Sequence, residues 1–245
     1  VLLVMHGTNR DADRYRDEWA EIAEQHNLLL IVPQFTRADF PQANGYNLGN
    51  VFKQGTDYQE LNPKHLWSYS AIEPLFDVIK KRFNSKVDSY ALYGHSAGSQ
   101  FVHRFVYFVT DARVNMAVTA NAGWYTMPDF DTSFPYGTKN TPIQQSDIVH
   151  ALAKPLYILL GEADNDPNHK SLRRAPEAMQ QGPHRFSRGH FYFDYAKRIA
   201  NKSNLIFNWH LQTVPNVGHS NRLMAKAAID LMLAQNILSL TTEQH

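Results

Sequence analysis

The sequence predicts an α/β fold, a mostly parallel central sheet flanked by helices. Two observations predict it. Short apolar runs alternate with amphipathic stretches along the chain, as in successive strand–helix units. A glycine-flanked serine lies where one such strand passes into a helix. With 245 residues, 43% of them hydrophobic, the chain can build one core, and we expect a single domain over 1–245.

Val1–His6 reads as a first, buried strand. It is too short, and has no basic residues ahead of it, to be an export signal. Because a chain rarely begins inside its central sheet, we expect further strands upstream of residue 1. Asp11 then caps a helix that presents Tyr15, Trp19 and Ile22 on one face. Leu28–Val32 is a second strand, stopped by Pro33. Thr36–Pro63, rich in Gly, Asn, Asp and Gln, reads as a long loop of the kind that often borders a site. Ser68–Phe83 is a helix with Ile72, Leu75, Phe76, Ile79 and Phe83 as its buried stripe. Val87–Tyr93, Val114–Ala120, Pro155–Leu160 and Leu205–Val214 are strands, and Ala97–Val109 is a helix. Met127–Thr141 lacks periodicity, so 127–150 reads as a loop insertion or small cap. Asn221–Leu240 closes the chain as a helix with Leu223, Ala227, Leu231, Ala234 and Leu238 on one face.

Composition excludes several classes of function. Lys plus Arg number 24 against 23 Asp plus Glu, and no basic stripe runs along the chain, so nucleic acid is not an expected partner. No apolar run has the length of a membrane span. With no cysteine there is no disulfide framework, zinc–thiolate site or cysteine nucleophile. No histidine pair has the spacing of a helix-borne metal site, and neither metal nor cofactor is expected.

The strongest signal is Gly94-His95-Ser96-Ala97-Gly98. At this chain's Gly and Ser frequencies, G-x-S-x-G arises by chance roughly 0.03 times in such a length. A strand precedes it and a helix follows, which is the setting a serine nucleophile needs. A sharp strand-to-helix turn lifts the hydroxyl clear of the sheet, and flanking glycines let the turn close. The hydroxyl then requires a base to take its proton and an acid to orient the base, in the chain order serine, acid, histidine. Gly161-Glu162-Ala163-Asp164-Asn165-Asp166 follows a strand, and we assign Asp164 as the acid with Asp166 as the alternative; Glu162 faces away or caps the loop. Among 12 histidines, His219 lies between the last strand and the closing helix, where the base belongs. His26, His65, His150 and His245 fall in surface-like or helical settings, and His210 reads as structural. His169, His184 and His190, with Arg173, Arg174, Arg185 and Arg188, read as a solvated face, with a binding surface as the alternative. Backbone N–H groups of Thr8 (alternatively Asn9) and Ala97 are the expected donors to a developing oxyanion.

With these residues assembled, the chain resembles the α/β-hydrolase superfamily over nearly its whole length. Within it, the sequence is similar to the exported esterases that include polyhydroxybutyrate depolymerases and feruloyl esterases. The residues that carry the likeness are Val4-Met5-His6-Gly7-Thr8, Gly94-His95-Ser96-Ala97-Gly98, Asn121-Ala122-Gly123-Trp124-Tyr125, Gly161-Glu162-Ala163-Asp164 and Gly218-His219. The resemblance implies a carboxylic ester as substrate, a secreted or periplasmic location, and two strands ahead of the first one here. The chain departs from many lipases in lacking a His-Gly-Gly-Gly run, and from many exported esterases in lacking cysteine. Trp124 and Tyr125 are expected to line the substrate pocket, with Phe52, Tyr58 and Trp67 near the cleft. A limited lid and aromatic walls suit a bulky or polymeric ester. Two alternatives stay open: an amidase or peptidase using the same triad, and a non-catalytic binding module on the same scaffold.

Overall fold

In the computed structural model of the chain, which describes residues 1–235, the elements run in the order β1 (Leu2–Met5), α1 (Ala12–Gln25), β2 (Leu30–Ile31), α2 (Gln42–Gly45), α3 (Ile72–Arg82), β3 (Tyr90–His95), α4 (Ala97–Phe108), β4 (Val114–Ala120), α5 (Gln145–Ala153), β5 (Leu156–Gly161), α6 (Pro176–Gln180), α7 (Arg185–Lys202), β6 (Trp209–Val214) and α8 (Asn221–Ala234). The strands form one parallel sheet ordered β2-β1-β3-β4-β5-β6.

Alternation along the strands builds two cores. Leu3 and Met5 share one with Leu92, Ala117 and Ile158, covered by α3, α4 and α7. Leu2 and Val4 share the other with Tyr93, Val118 and Leu159, covered by α1 and α8. Every residue of α4 is buried, so the helix after the serine turn is the most enclosed element beside the sheet. The chain leaves β1 for β2 on one side and re-enters at β3 on the other. The crevice at the C-terminal ends of β1 and β3 is therefore the switch point of the sheet, where ligands of α/β folds bind. Among the described residues no helix is long and apolar enough to cross a membrane.

Several expected boundaries move. The second strand shrinks to Leu30–Ile31, the third starts at Tyr90 rather than Val87, and the last starts at Trp209 rather than Leu205. The helix expected from Ser68 begins as a 3-10 turn over Ser68–Ala71, and Phe83 is its exposed C-cap rather than part of the buried stripe. The loop over 36–63 carries α2 and a bridge between Phe52 and Leu61. Phe52 and Trp67 are core residues. The closing helix is described as far as Ala234, and Leu238 and His245 lie outside the described residues. Leu223, placed on its buried face, is exposed, whereas Met224, Ala228 and Met232 are buried.

The largest surprise is α7, an 18-residue helix where a solvated or binding face was expected. Its inner stripe is Arg185, Arg188, Gly189, Tyr192, Ala196 and Ala200. The spacing is helical, but arginines and small residues occupy inner positions and erase the apolar signal. Gly189 lets the helix lie close over β5, where a Cβ would press on the Leu160 side chain.

Candidate active site

β1 and β3 are neighbours in register, Met5 opposite Gly94, so the chain segments leaving them lie side by side. Ser96 turns from β3 into α4 with φ 58° and ψ −115°. A non-glycine residue in that region is strained, and surrounding structure must hold it there. The flanking glycines explain how. A Cβ on Gly94 would strike the Gly98 backbone, and one on Gly98 would strike the carbonyls of Met5 and His6. Only glycine lets α4 start this close to both strands.

Ser96 Oγ lies 3.0 Å from His219 Nε2, and His219 Nδ1 lies 2.7 Å from Asp164 Oδ2. With the carboxylate accepting from Nδ1–H, Nε2 of the neutral imidazole is left to accept from the Ser96 hydroxyl. Asp164 is buried and hydrogen-bonded to His219; the alternative acid Asp166 is exposed, accepts from Asn168 N–H at 2.8 Å and has no hydrogen bond to His219 among the described residues. Glu162 accepts from Thr213 Oγ at 2.7 Å. Thr8, Ser96 and Ala97 border one cavity of about 680 Å³, and Asn9 borders a neighbouring one with Ser96.

The loops carrying Asp164 and His219 are fastened by residues that sequence reasoning gave no such role. Asn121, at φ 50°, accepts from Gly161 N–H at 2.8 Å and donates to Gly218 O at 3.1 Å. It thereby clamps the end of β5 to the His219 loop. Arg185 donates to Asp164 Oδ1 at 3.1 Å and to Ser171 Oγ at 2.9 Å. The pair is almost fully buried, at 4% side-chain exposure for each partner. Arg185, expected on a solvated or binding face, is thus the second partner of Asp164. Arg188 is buried as well, donating to the carbonyls of Gly182, Gly123 and Arg173.

Histidines at the strand ends are structural. His6 Nε2 accepts from Phe35 N–H at 3.1 Å while its Nδ1 faces Gly7 O. Burial holds it neutral, its pKa lowered to about 4. His95 faces Tyr15 Oη at 3.0 Å, and its ring centroid lies 4.6 Å from that of His219. Burial pushes its pKa well below the ordinary histidine value, so an uncharged ring backs His219. Arg10 fastens the loop beyond β2 to the end of β1 through the carbonyls of Phe35, Phe40 and Gln42. His210, expected to be structural, is exposed on edge strand β6 and stacks on Tyr157.

The two aromatic residues assigned to the pocket part company. Trp124 borders the 680 Å³ cavity, held between Arg104 at 4.3 Å and Arg173 at 5.2 Å from its ring. Tyr125 is fully buried, stacked on Tyr192, with its backbone held on both sides by Gln181. One ring thus borders the cavity while the next enters the core. Tyr58 packs with Phe52 and Phe134 and borders a further cavity that shares Arg173 with the first.

A parallel sheet with a strained serine turn at its switch point, and an imidazole and a carboxylate arriving from later loops, defines an α/β-hydrolase. Among solved structures the chain is similar to poly(aspartic acid) hydrolase-1 from Sphingomonas sp. KT-1, at 46% identity and a TM-score of 0.92, over 95% of this chain and 87% of that one. It is also similar to LpqC, a poly(3-hydroxybutyrate) depolymerase from Bordetella parapertussis, at 32% identity and a TM-score of 0.90, over 96% of this chain and 78% of that one. An S-formylglutathione hydrolase from Agrobacterium tumefaciens, at 15% identity and a TM-score of 0.53, shares the fold. No family model and no curated protein matches the chain. The chain belongs to the family of α/β-hydrolases that holds the first two proteins, and it is a hydrolase.

Proposed function

We propose that the chain is a serine hydrolase that cleaves carboxylic acyl bonds, esters in the first instance, through an acyl-enzyme on Ser96. The observation that carries this reading is the relay from Ser96 Oγ to His219 Nε2 and from His219 Nδ1 to Asp164, at 3.0 and 2.7 Å. His219 Nε2 takes the hydroxyl proton as Oγ attacks the carbonyl carbon. The oxygen that becomes negative is received by the N–H groups of Thr8 and Ala97. The imidazolium then gives its proton to the departing oxygen or nitrogen as the acyl bond breaks. Water, deprotonated by the same Nε2, attacks the acyl-enzyme, and Ser96 recovers its proton as the acid leaves.

A polymeric substrate is favoured by neighbouring cavities. The cavity containing Trp124 shares Ser96 with one neighbour and Arg173 with another, an arrangement that suits an extended chain laid across the serine. A second reading, cleavage of amide bonds in an anionic polymer, is favoured by the cations around that cavity (Arg37, Lys170, Arg173 and Arg174 among them) and by the 46% identity to a poly(aspartic acid) hydrolase. Hydrolysis of 4-nitrophenyl butyrate, poly(3-hydroxybutyrate) and poly(aspartic acid) by the wild type and by Ser96→Ala separates these outcomes. We expect turnover of at least one, and its loss by about 10⁴-fold or more in the variant. Undiminished hydrolysis by Ser96→Ala refutes the mechanism.

A further inference from the structure

Two cavities meet at Ser96, and their charges differ. The larger, about 680 Å³, is bordered by Arg10, Arg37, Lys170, Arg173, Arg174 and Arg185, with no carboxylate among its lining residues. The smaller, about 510 Å³, contains His219 and balances Arg14 and Lys170 against Asp11 and Glu18. Arg14 is bound to both of those carboxylates at 2.7 Å, so little free charge of either sign remains on that side.

In the larger cavity, Arg10 is taken up by backbone carbonyls and Arg185 by Asp164. Arg37, Lys170, Arg173 and Arg174 are exposed, and none has an ion-pair partner among the described residues. Arg173 is aimed by a 2.7 Å bond from its Nε to Tyr136 Oη and by its place over Trp124. Beneath that indole, Arg104 is wholly buried with no carboxylate beside it, and burial lowers its pKa to about 10. A buried cation is costly without an anion to answer it, so the floor adds to an uncompensated positive field in the cavity.

Proton transfer assigns the two cavities to the two halves of a substrate. The departing group must receive its proton from His219 Nε2, so it leaves into the cavity that His219 borders. The acyl group stays on Ser96 and fills the other. We propose that anion recognition sits on the acyl side: the acid half of the substrate carries a carboxylate read by Arg37, Arg173 and Arg174, whereas the leaving half is accepted without regard to charge. The inference rests on the Ser96–His219 mechanism and adds to it which half of the substrate bears the specificity.

Two matched pairs of esters test it. In the first, 4-nitrophenyl hydrogen adipate is set against its methyl ester, so only an acyl-side carboxylate changes. In the second, 4-(2-carboxyethyl)phenyl butyrate is set against its methyl ester, so a leaving-side carboxylate changes while the phenol's leaving ability does not. We expect kcat/KM to favour the acid by about tenfold or more in the first pair and by less than about threefold in the second. The first ratio should shrink in 0.5 M NaCl and in Arg173→Ala and Arg37→Ala, with circular dichroism reporting that each variant is folded. The ratio, rather than the absolute rate, is the readout. A preference confined to the leaving side, equal on both sides, or absent from the first pair overturns the assignment while leaving the hydrolase mechanism intact. Absence of Ser96-dependent turnover of all four esters overturns both.

Discussion

The two walls of the active site are held by different forces. On the β1–β3 side, Ser96 is fixed by backbone sterics: two glycines admit α4 against the carbonyls of Met5 and His6, and the serine accepts a positive φ. On the 164–188 side, the wall is fixed by buried charge: Arg185 bridges Asp164 and Ser171, and Arg188 gathers three carbonyls. The steric wall fixes the Ser96 turn. The charged wall holds Asp164 beside His219 and borders the larger cavity.

The comparison is broken most severely at Asp164. Asp164→Asn keeps the shape but offers His219 the wrong hydrogen-bonding partner and strands Arg185, so kcat should fall by about 10⁴-fold. Steady-state kinetics at neutral pH checks this; a loss under about tenfold denies Asp164 its role. A smaller effect is expected at Arg185. Arg185→Met removes one partner of a buried pair and should cost on the order of 3 kcal/mol of stability, read by urea denaturation. It should also lower kcat more than it raises KM toward neutral esters, because the lost contact orients the acid. Arg185→Lys should recover part of kcat. Equal loss in both variants with unchanged kcat in the folded fraction makes Arg185 a packing residue only.

The steric wall has its own weak point in acid. Unfolded histidine takes up a proton below about pH 6.5, the buried His6 only below about 4. Between those values acid favours the unfolded chain, so stability falls as pH drops through this window, by on the order of 3 kcal/mol for this group. His6→Gln keeps an acceptor for Phe35 N–H and should flatten that part of the stability–pH curve. His95 and His103, also buried and pushed well below the ordinary value, keep part of the slope. An unchanged slope in the variant removes His6 from the account.

The same contrast explains what the sequence disclosed. The strand near Leu156–Gly161 is legible because both faces are apolar, the one at Val114–Ala120 because β-branched and apolar residues fill one face without a break, and the serine turn because sterics admit few residue types at 94 and 98. Asp164 and His219 follow from chain order around the sheet. Illegible were Arg185, Arg188 and the helix that carries them, since an arginine reads as solvent-facing until its buried partners are seen. The separation of Trp124 from Tyr125 was equally hidden, because it depends on which ring Arg104 and Arg173 enclose and which stacks on Tyr192.

The central claim, that one strained serine is the group the relay activates, is tested most directly by fluorophosphonate labelling of the wild-type chain followed by peptide mapping. A covalent adduct on Ser96, absent from Ser96→Ala and strongly slowed in His219→Ala, is the expected result. An adduct on another residue, or equal labelling of the His219 variant, contradicts the account.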